Sequence, residues 1–403
     1  TGDKVALELT QVTSQINDMA RAMAERSRQR LRVLPAAREL LHLFAGDQEG
    51  LRQVAESEPG QRLRCASPGD EPLDTSLSAP PPPEQVTLVA ADGSQIFPDR
   101  HGLIFYYAIN VGSIVFRQGS GQAPDVATEP RLFYTDDELY PDGKPVSGDL
   151  VSAERDVAEM RVLSDLVLAE PSEGPQRIAL ADGPLLIWVQ RADLPTDKQI
   201  QILESYLARL DRLRADRVAV AGFVSRPHSA EVVSLLYLAQ LEPDKRKAVG
   251  SLGETAFRGL TDRELFGGLG PGERSALFRR GTATNEDFRQ RGHAVFFFYL
   301  NTAPGGSEGS ARTSFARVEI PEWVAQQPQQ LDLVHAAVYD QCRLSDGYPY
   351  VLTRADEQAI IHAEERDVLE TMIVRAMTRH GLPLPELSRK AQQKRVARWR
   401  RGS

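Results

Sequence analysis

Two apolar runs in this chain end in the same pair of residues. Val86-Thr-Leu-Val-Ala-Ala leads into Asp92-Gly93-Ser94-Gln95, and Ile178-Ala-Leu-Ala leads into Asp182-Gly183-Pro184-Leu185. The runs are short and apolar, and the first is bounded upstream by Pro80 to Pro83, so both predict buried strands. An isolated Asp-Gly is an ordinary turn dipeptide. Two of them at strand ends can set two carboxylates side by side in one sheet, where open α/β folds bind ligands. Close carboxylates repel unless one is protonated or a hard divalent cation such as Mg²⁺ or Mn²⁺ neutralises both. The pair therefore predicts an α/β fold with a metal site.

The remaining pattern supplies the frame. Residues 148–170 predict a helix ending before Pro171, in which Glu159 shares the apolar face of Val162, Leu163 and Leu166; Glu154 is the competing acid. A helix over 196–215, a strand over 217–224 and a helix over 229–241 continue the alternation of parallel crossovers. Residues 102–116 predict one or two strands, hairpin-like around Asn110 to Ser113. Residues 294–300 and 314–320 predict a strand pair, followed by a helix over 328–342 and another over 355–380. Ser225 and Arg226 stand at a strand-to-helix junction, where amides, a hydroxyl and a guanidinium can meet a phosphate.

Composition and punctuation divide the chain. Residues 1–57 predict a helical segment of two helices, about 3–30 and 35–56, the first with a heptad seam of Val5, Leu9, Val12, Ile16, Met19 and Met23. Residues 58–85 are a Pro-rich linker, 86–385 the core domain, and 244–291 a polar, Gly-rich surface insertion carrying Lys245-Arg246-Lys247. The tail, 386–403, is basic. Net charge is -8 and the sequence pI about 5.6, so nucleic-acid contact must use local patches such as these. Cys65 and Cys342 lack metal-binding spacing and imply a reducing compartment, and no apolar run approaches the ~20 residues of a membrane span, so a cytoplasmic protein is expected.

The order Asp92-Gly-Ser-Gln, an acidic helix, Asp182-Gly-Pro-Leu, Gly222-Phe-Val-Ser225, Arg317-Val-Glu-Ile-Pro-Glu-Trp and Gly347-Tyr-Pro resembles the NurA nuclease family, from about Val86 to about Leu369. The resemblance implies an RNase H-like core, a mixed sheet with flanking helices, in a toroidal homodimer. It also implies Mn²⁺-dependent (or Mg²⁺-dependent) digestion of DNA with 5′-to-3′ polarity, beside a hexameric HerA translocase in DNA end resection and repair. Residue by residue, Asp92 and Asp182 match the strand acids, Glu159 (or Glu154) the helix acid, and Tyr348 the tyrosine of the late motif. The family usually continues with Ala-His-Glu, whose His helps hold metal; here the residues are Ala355-Asp356-Glu357, and Asp356 can still ligate a hard ion through oxygen.

Phosphodiester hydrolysis by a pair of metal ions needs a compact group of carboxylates. Asp92, Glu159, Asp182 and Asp356 are the expected ligands of two ions, with Tyr348 orienting the scissile phosphate and Ser94, Ser225, Arg226, Lys245, Arg246 and Lys247 contacting DNA. A non-catalytic DNA-binding scaffold on a nuclease fold, or a metal-dependent phosphatase of small substrates, stay open at this stage.

Overall fold

The first apolar run does form a strand, but the strand does not stop at Asp92. In the computed structural model, Val86–Ile96 continues through Asp-Gly-Ser-Gln and pairs antiparallel with Tyr107–Gln118 at every position, from Val86↔Gln118 to Ile96↔Ala108. A full antiparallel ladder satisfies the backbone here, and it overrides the turn preference of Asp-Gly. The partner is likewise one strand through Asn110 to Ser113, where a hairpin was expected. A further strand, Asp125–Phe133, pairs with it on the outside. That strand is exposed at every residue but the last and contains Pro130, as an edge strand can be.

The structure describes residues 9–100, 104–187, 196–305 and 314–382. The chain divides into two compact units. The larger comprises Ala79–Val224, Asp287–Val295 and Val318–Ser403. In it, Gln176–Asp182 lies parallel to Val86–Ile96, with Ala91 opposite Ala181, and Ala219–Ser225 lies parallel beyond. Numbered along the chain, these five strands stand in the order 3-2-1-4-5, the first three antiparallel and the last two parallel. This is the RNase H-like mixed sheet.

Two helices cover the acid-bearing strands. Gly148–Ala169 starts at Ser147, whose hydroxyl accepts from the Leu150 amide, and packs on Val86–Ile96 and its neighbours. Tyr350–Ala359 packs on Val86–Ile96 and Tyr107–Gln118. The expected single helix over 355–380 is thus two, the second being Ala363–Arg379. The break is capped: the His362 amide donates to Glu365 Oε2 at 2.8 Å. Leu88, Val89, Ala90, Ile178, Leu180 and Val220 are fully buried in the core.

The smaller unit comprises Thr1–Ser78, Ser225–Glu286 and Phe296–Arg317. One helix, Leu9–Leu43, runs through Pro35 where two helices were expected, followed by Gln48–Glu56. Of the heptad seam, Val5 lies outside the described residues, while Leu9, Ile16, Met19 and Met23 are exposed. The expected linker and the expected surface insertion both contribute to a core: Cys65, Ala66 and Leu73 join Phe257, Leu260, Leu265, Phe266 and Phe278 with Ala37 and Leu41. Short strands Ser76–Ser78 and Glu273–Ser275 pair antiparallel, as do Ser67–Pro68 and Phe278–Arg279. The basic tail lies outside the described residues. Among the described residues no helix is long and apolar enough to cross a membrane.

Candidate metal centre

Strand pairing decides which face of the sheet each acid takes. Asp92 stands directly opposite Gly112, and Ser94 opposite Asn110, so these four share one face. That face meets the helix Tyr350–Ala359. Ser94 Oγ donates to the Ala359 carbonyl, and Asn110 Nδ2 donates to it at 2.9 Å. Gly112 has no side chain because none would fit: a Cβ there would overlap Ala359 N and Ala355 O and lie 2.6 Å from Gln358 C. The close approach brings Asp356 into hydrogen-bond contact with Asp92.

Asp182 follows Ala181, the ladder partner of Ala91, so it stands beside Asp92 at the C-terminal end of its strand. Gly183, with φ +93, turns the chain away there. Tyr348 hydrogen-bonds the Asp182 carboxylate and packs edge-on against Phe223, ring centroids 5.2 Å apart. The structure thus brings Asp92, Asp182, Asp356 and Tyr348 together. Burial pushes the Asp92 carboxyl up to about 6; Asp182 and Asp356 add to this, while the Gly93 amide opposes it. Burial also raises Asp182, helped by Asp356 and opposed by the Tyr348 hydroxyl.

Gly93, one residue on, faces the other way, toward the helix Gly148–Ala169. A Cβ on it would overlap Glu159 Oε1 and lie 2.7 Å from Arg155 Cγ. Glu159 approaches the site from this helix, beside Arg155. Arg155 Nε lies 2.9 Å from Glu159 Oε1, and the guanidinium also donates to Gln95 Oε1 and Asp156 Oδ1, each at 3.0 Å. Burial holds Glu159 well above the usual carboxylate range, with Arg155 opposing and Asp156, Asp92 and Asp182 adding to the rise. A cavity of about 410 Å³ is lined by Asp92, Asp182 and Glu159 together, with Arg155, Asp156 and Tyr206 among others. Among the described residues, no three acidic, His or Cys side chains already enclose a point as metal ligands would.

Glu154, the competing helix acid, lines a different cavity and accepts a 2.5 Å hydrogen bond from the Tyr107 hydroxyl. Arg155, Asp156 and Tyr206 were not singled out from the sequence. The signal for the first was its place four residues before Glu159 on a helix, the spacing of an ion pair.

The expected DNA contacts are dispersed. Ser94 is committed to the Ala359 carbonyl. Ser225 and Arg226 are exposed at the end of their strand, Arg226 with φ 47. The following helix, Glu231–Ala239, does not offer its N-terminal amides to a phosphate. The fully buried Asp262 already accepts from the Glu231, Val232 and Val233 amides at 2.9, 3.1 and 2.9 Å. Lys245 and Lys247 are exposed in the smaller unit, but Arg246 bonds the carbonyls of Leu238, Leu241 and Ala239 at that helix's C-terminal end.

The sequence matches the family model of the NurA domain over residues 86–361, about two thirds of the chain. Among solved structures, the chain is similar to the NurA nuclease from Sulfolobus solfataricus: 16% identity, covering 93% of this chain and 96% of that one, TM-score 0.47. It is also similar to a NurA structure bound to dAMP and manganese: 10% identity, covering 91% and 97%, TM-score 0.41. Among curated proteins, none matches this chain by sequence. On the extent of the family match, the chain belongs to the NurA domain family.

Proposed function

We propose that this chain is a metal-dependent deoxyribonuclease whose ion is held by Asp92, Asp182 and Asp356. The observation that carries this reading is the contact between the Asp92 and Asp356 carboxyls beside Asp182. Carboxyls this close repel when both are ionised, and a cation bound between them removes that repulsion. All the donors are oxygens, which suits a hard ion, Mn²⁺ or Mg²⁺. When bound, such an ion activates water and stabilises the leaving oxygen.

The chain's own residues do the remaining work. Asp92 and Asp182 sit on paired strands, a rigid mount that keeps their spacing when DNA enters. Tyr348 fixes the Asp182 carboxylate by its hydrogen bond and stands where it can orient a scissile phosphate. Asp356 takes the place of the usual family His and adds a negative oxygen donor instead of a neutral nitrogen. Family membership extends the proposal to 5′-to-3′ digestion of DNA ends by a homodimer working with a HerA-type hexameric translocase in end resection, inside the cytoplasm.

The test is cleavage of end-labelled single- and double-stranded DNA with Mn²⁺, Mg²⁺ or EDTA, with and without a HerA-type ATPase. Wild type should shorten DNA only with a divalent ion, and Asp92→Asn or Asp182→Asn should lower the rate by more than ~100-fold while remaining folded. Divalent-independent cleavage, or full activity in both variants, would refute the proposal.

A further inference from the structure

We infer that Arg155 is a further catalytic residue, whose guanidinium receives the non-bridging oxygens of the scissile phosphate in the acid-lined cavity. The inference rests on the metal-dependent nuclease reading and adds a substrate contact to it. Asp92, Asp156, Glu159 and Asp182 line that cavity of about 410 Å³, and among the described residues that line it Arg155 is the one positively charged side chain. An anionic phosphodiester entering a pocket walled by carboxylates is repelled by them. A bound divalent ion offsets part of that charge, and the fixed cation left on the wall is Arg155.

The guanidinium is held in place with donors to spare. Nη1 donates to Gln95 Oε1 and Nη2 to Asp156 Oδ1, each at 3.0 Å. Gln95 belongs to the strand that carries Asp92, and Asp156 to the helix of Arg155 itself, so one bond ties the group to the sheet and the other to its helix. Nε makes no hydrogen bond although it is buried: Glu159 Oε1 lies 2.9 Å away but out of line with the N–H, and that oxygen is itself without a hydrogen bond. A buried donor left without an acceptor is costly, and it is tolerated where a ligand supplies the acceptor. The side chain as a whole is 30% exposed, so a ligand in the cavity can reach it. The planar fork of a guanidinium matches two oxygens of one phosphate, which a point charge does not. As water attacks phosphorus and the ester bond to the departing sugar oxygen breaks, the water gives up one proton and the departing oxygen takes one. Negative charge gathers meanwhile on the non-bridging oxygens; Arg155 offsets it and neither gains nor loses a bond or a proton.

Arg155→Met removes the charge and keeps the length of the side chain, whereas Arg155→Lys keeps the charge and loses the fork. The full-length chain is assayed for cleavage of end-labelled DNA, for Mn²⁺ affinity by electron paramagnetic resonance, and for dAMP binding to the Mn²⁺-loaded protein by calorimetry. Arg155→Met should lower kcat by about 100-fold or more and weaken dAMP binding by roughly tenfold. It should bind Mn²⁺ at least as tightly as wild type, because a cation has been removed from beside the acids. Arg155→Lys should recover part of each loss. Were Arg155 only a support for Glu159 and its helix, Mn²⁺ affinity would fall together with cleavage. That result, or a kcat of Arg155→Met within about threefold of wild type, would overturn the inference. If Arg155→Met does not fold, Arg155→Lys decides: a kcat lowered about tenfold with unchanged Mn²⁺ affinity upholds the inference, and full activity overturns it. If wild type neither cleaves DNA nor binds dAMP with Mn²⁺, the nuclease reading falls and this inference with it; if wild type does both and Arg155→Met does so equally, this inference alone falls.

Discussion

At the scale of single residues, the site depends on a few hydrogen bonds whose removal has foreseeable effects. Tyr348→Phe removes the hydroxyl that bonds Asp182 and keeps the ring packed on Phe223. A hydrogen bond to a charged group is worth about 1.5–3 kcal/mol, so DNA cleavage should fall by roughly 10- to 100-fold with little change in melting temperature, measured by steady-state kinetics and calorimetry. Asp356→His restores the usual family residue at an exposed position of a helix. A nitrogen donor favours Mn²⁺ over Mg²⁺, so the ratio of Mn²⁺- to Mg²⁺-supported activity should rise, read from parallel rate measurements with each ion. An unchanged ratio would remove Asp356 from the ligand set. Asp92 and Asp182 were legible in the sequence because each follows an apolar strand-forming run. Asp356 was legible only against the family pattern, and Arg155 was not legible, because nothing in one dimension shows that its helix lies against Gly93.

At the scale of elements, two glycines on one pair of strands set how closely two helices approach the sheet. Gly93 meets side-chain atoms of Glu159 and Arg155, whereas Gly112 meets backbone atoms of Ala355, Gln358 and Ala359. Side chains can yield by changing rotamer, but a helix backbone must move as a whole. Gly112→Ala should therefore destabilise the chain more than Gly93→Ala, by about 3 kcal/mol against about 1 kcal/mol in urea unfolding. Equal losses would mean that the helix Tyr350–Ala359 is not seated as described. The strands beginning at 86, 176, 219 and 295 were readable because each carries a continuous apolar run, and 315–321 because its apolar residues alternate with Arg317 and Glu319. The edge strand Asp125–Phe133 was not, since an exposed strand with a proline has no buried face to pattern. The break before Ala363 was missed because the His362 and Glu365 cap lies inside a run that otherwise reads as helix.

At the scale of the whole molecule, acids in both units carry raised proton affinities, and their sum has a sign. Burial is the first cause for Asp92, at about 6, for the directionally raised Glu159 and Asp182, and for Asp262, at about 7. Each folded acid holds its proton more tightly than the unfolded chain does, so the stabilisation is fully present below the ordinary value of 3.8 for Asp and is lost as pH rises through about 6 to 7. The metal-free protein should consequently unfold at lower urea concentration at pH 8 than at pH 5. Saturating Mn²⁺ should recover stability at pH 8 by binding only the folded site. The core of the smaller unit was hidden from the sequence because residues 58–85 and 244–291 each donate a few buried side chains from polar, Pro- and Gly-rich surroundings. The central claim is that the acids on the Asp356 side hold the ion, and the position of Mn²⁺ tests it most directly, by anomalous scattering from crystals grown with the metal. The account predicts a peak among Asp92, Asp182 and Asp356. A peak between Glu159 and Asp156, or none near Asp92, would contradict it.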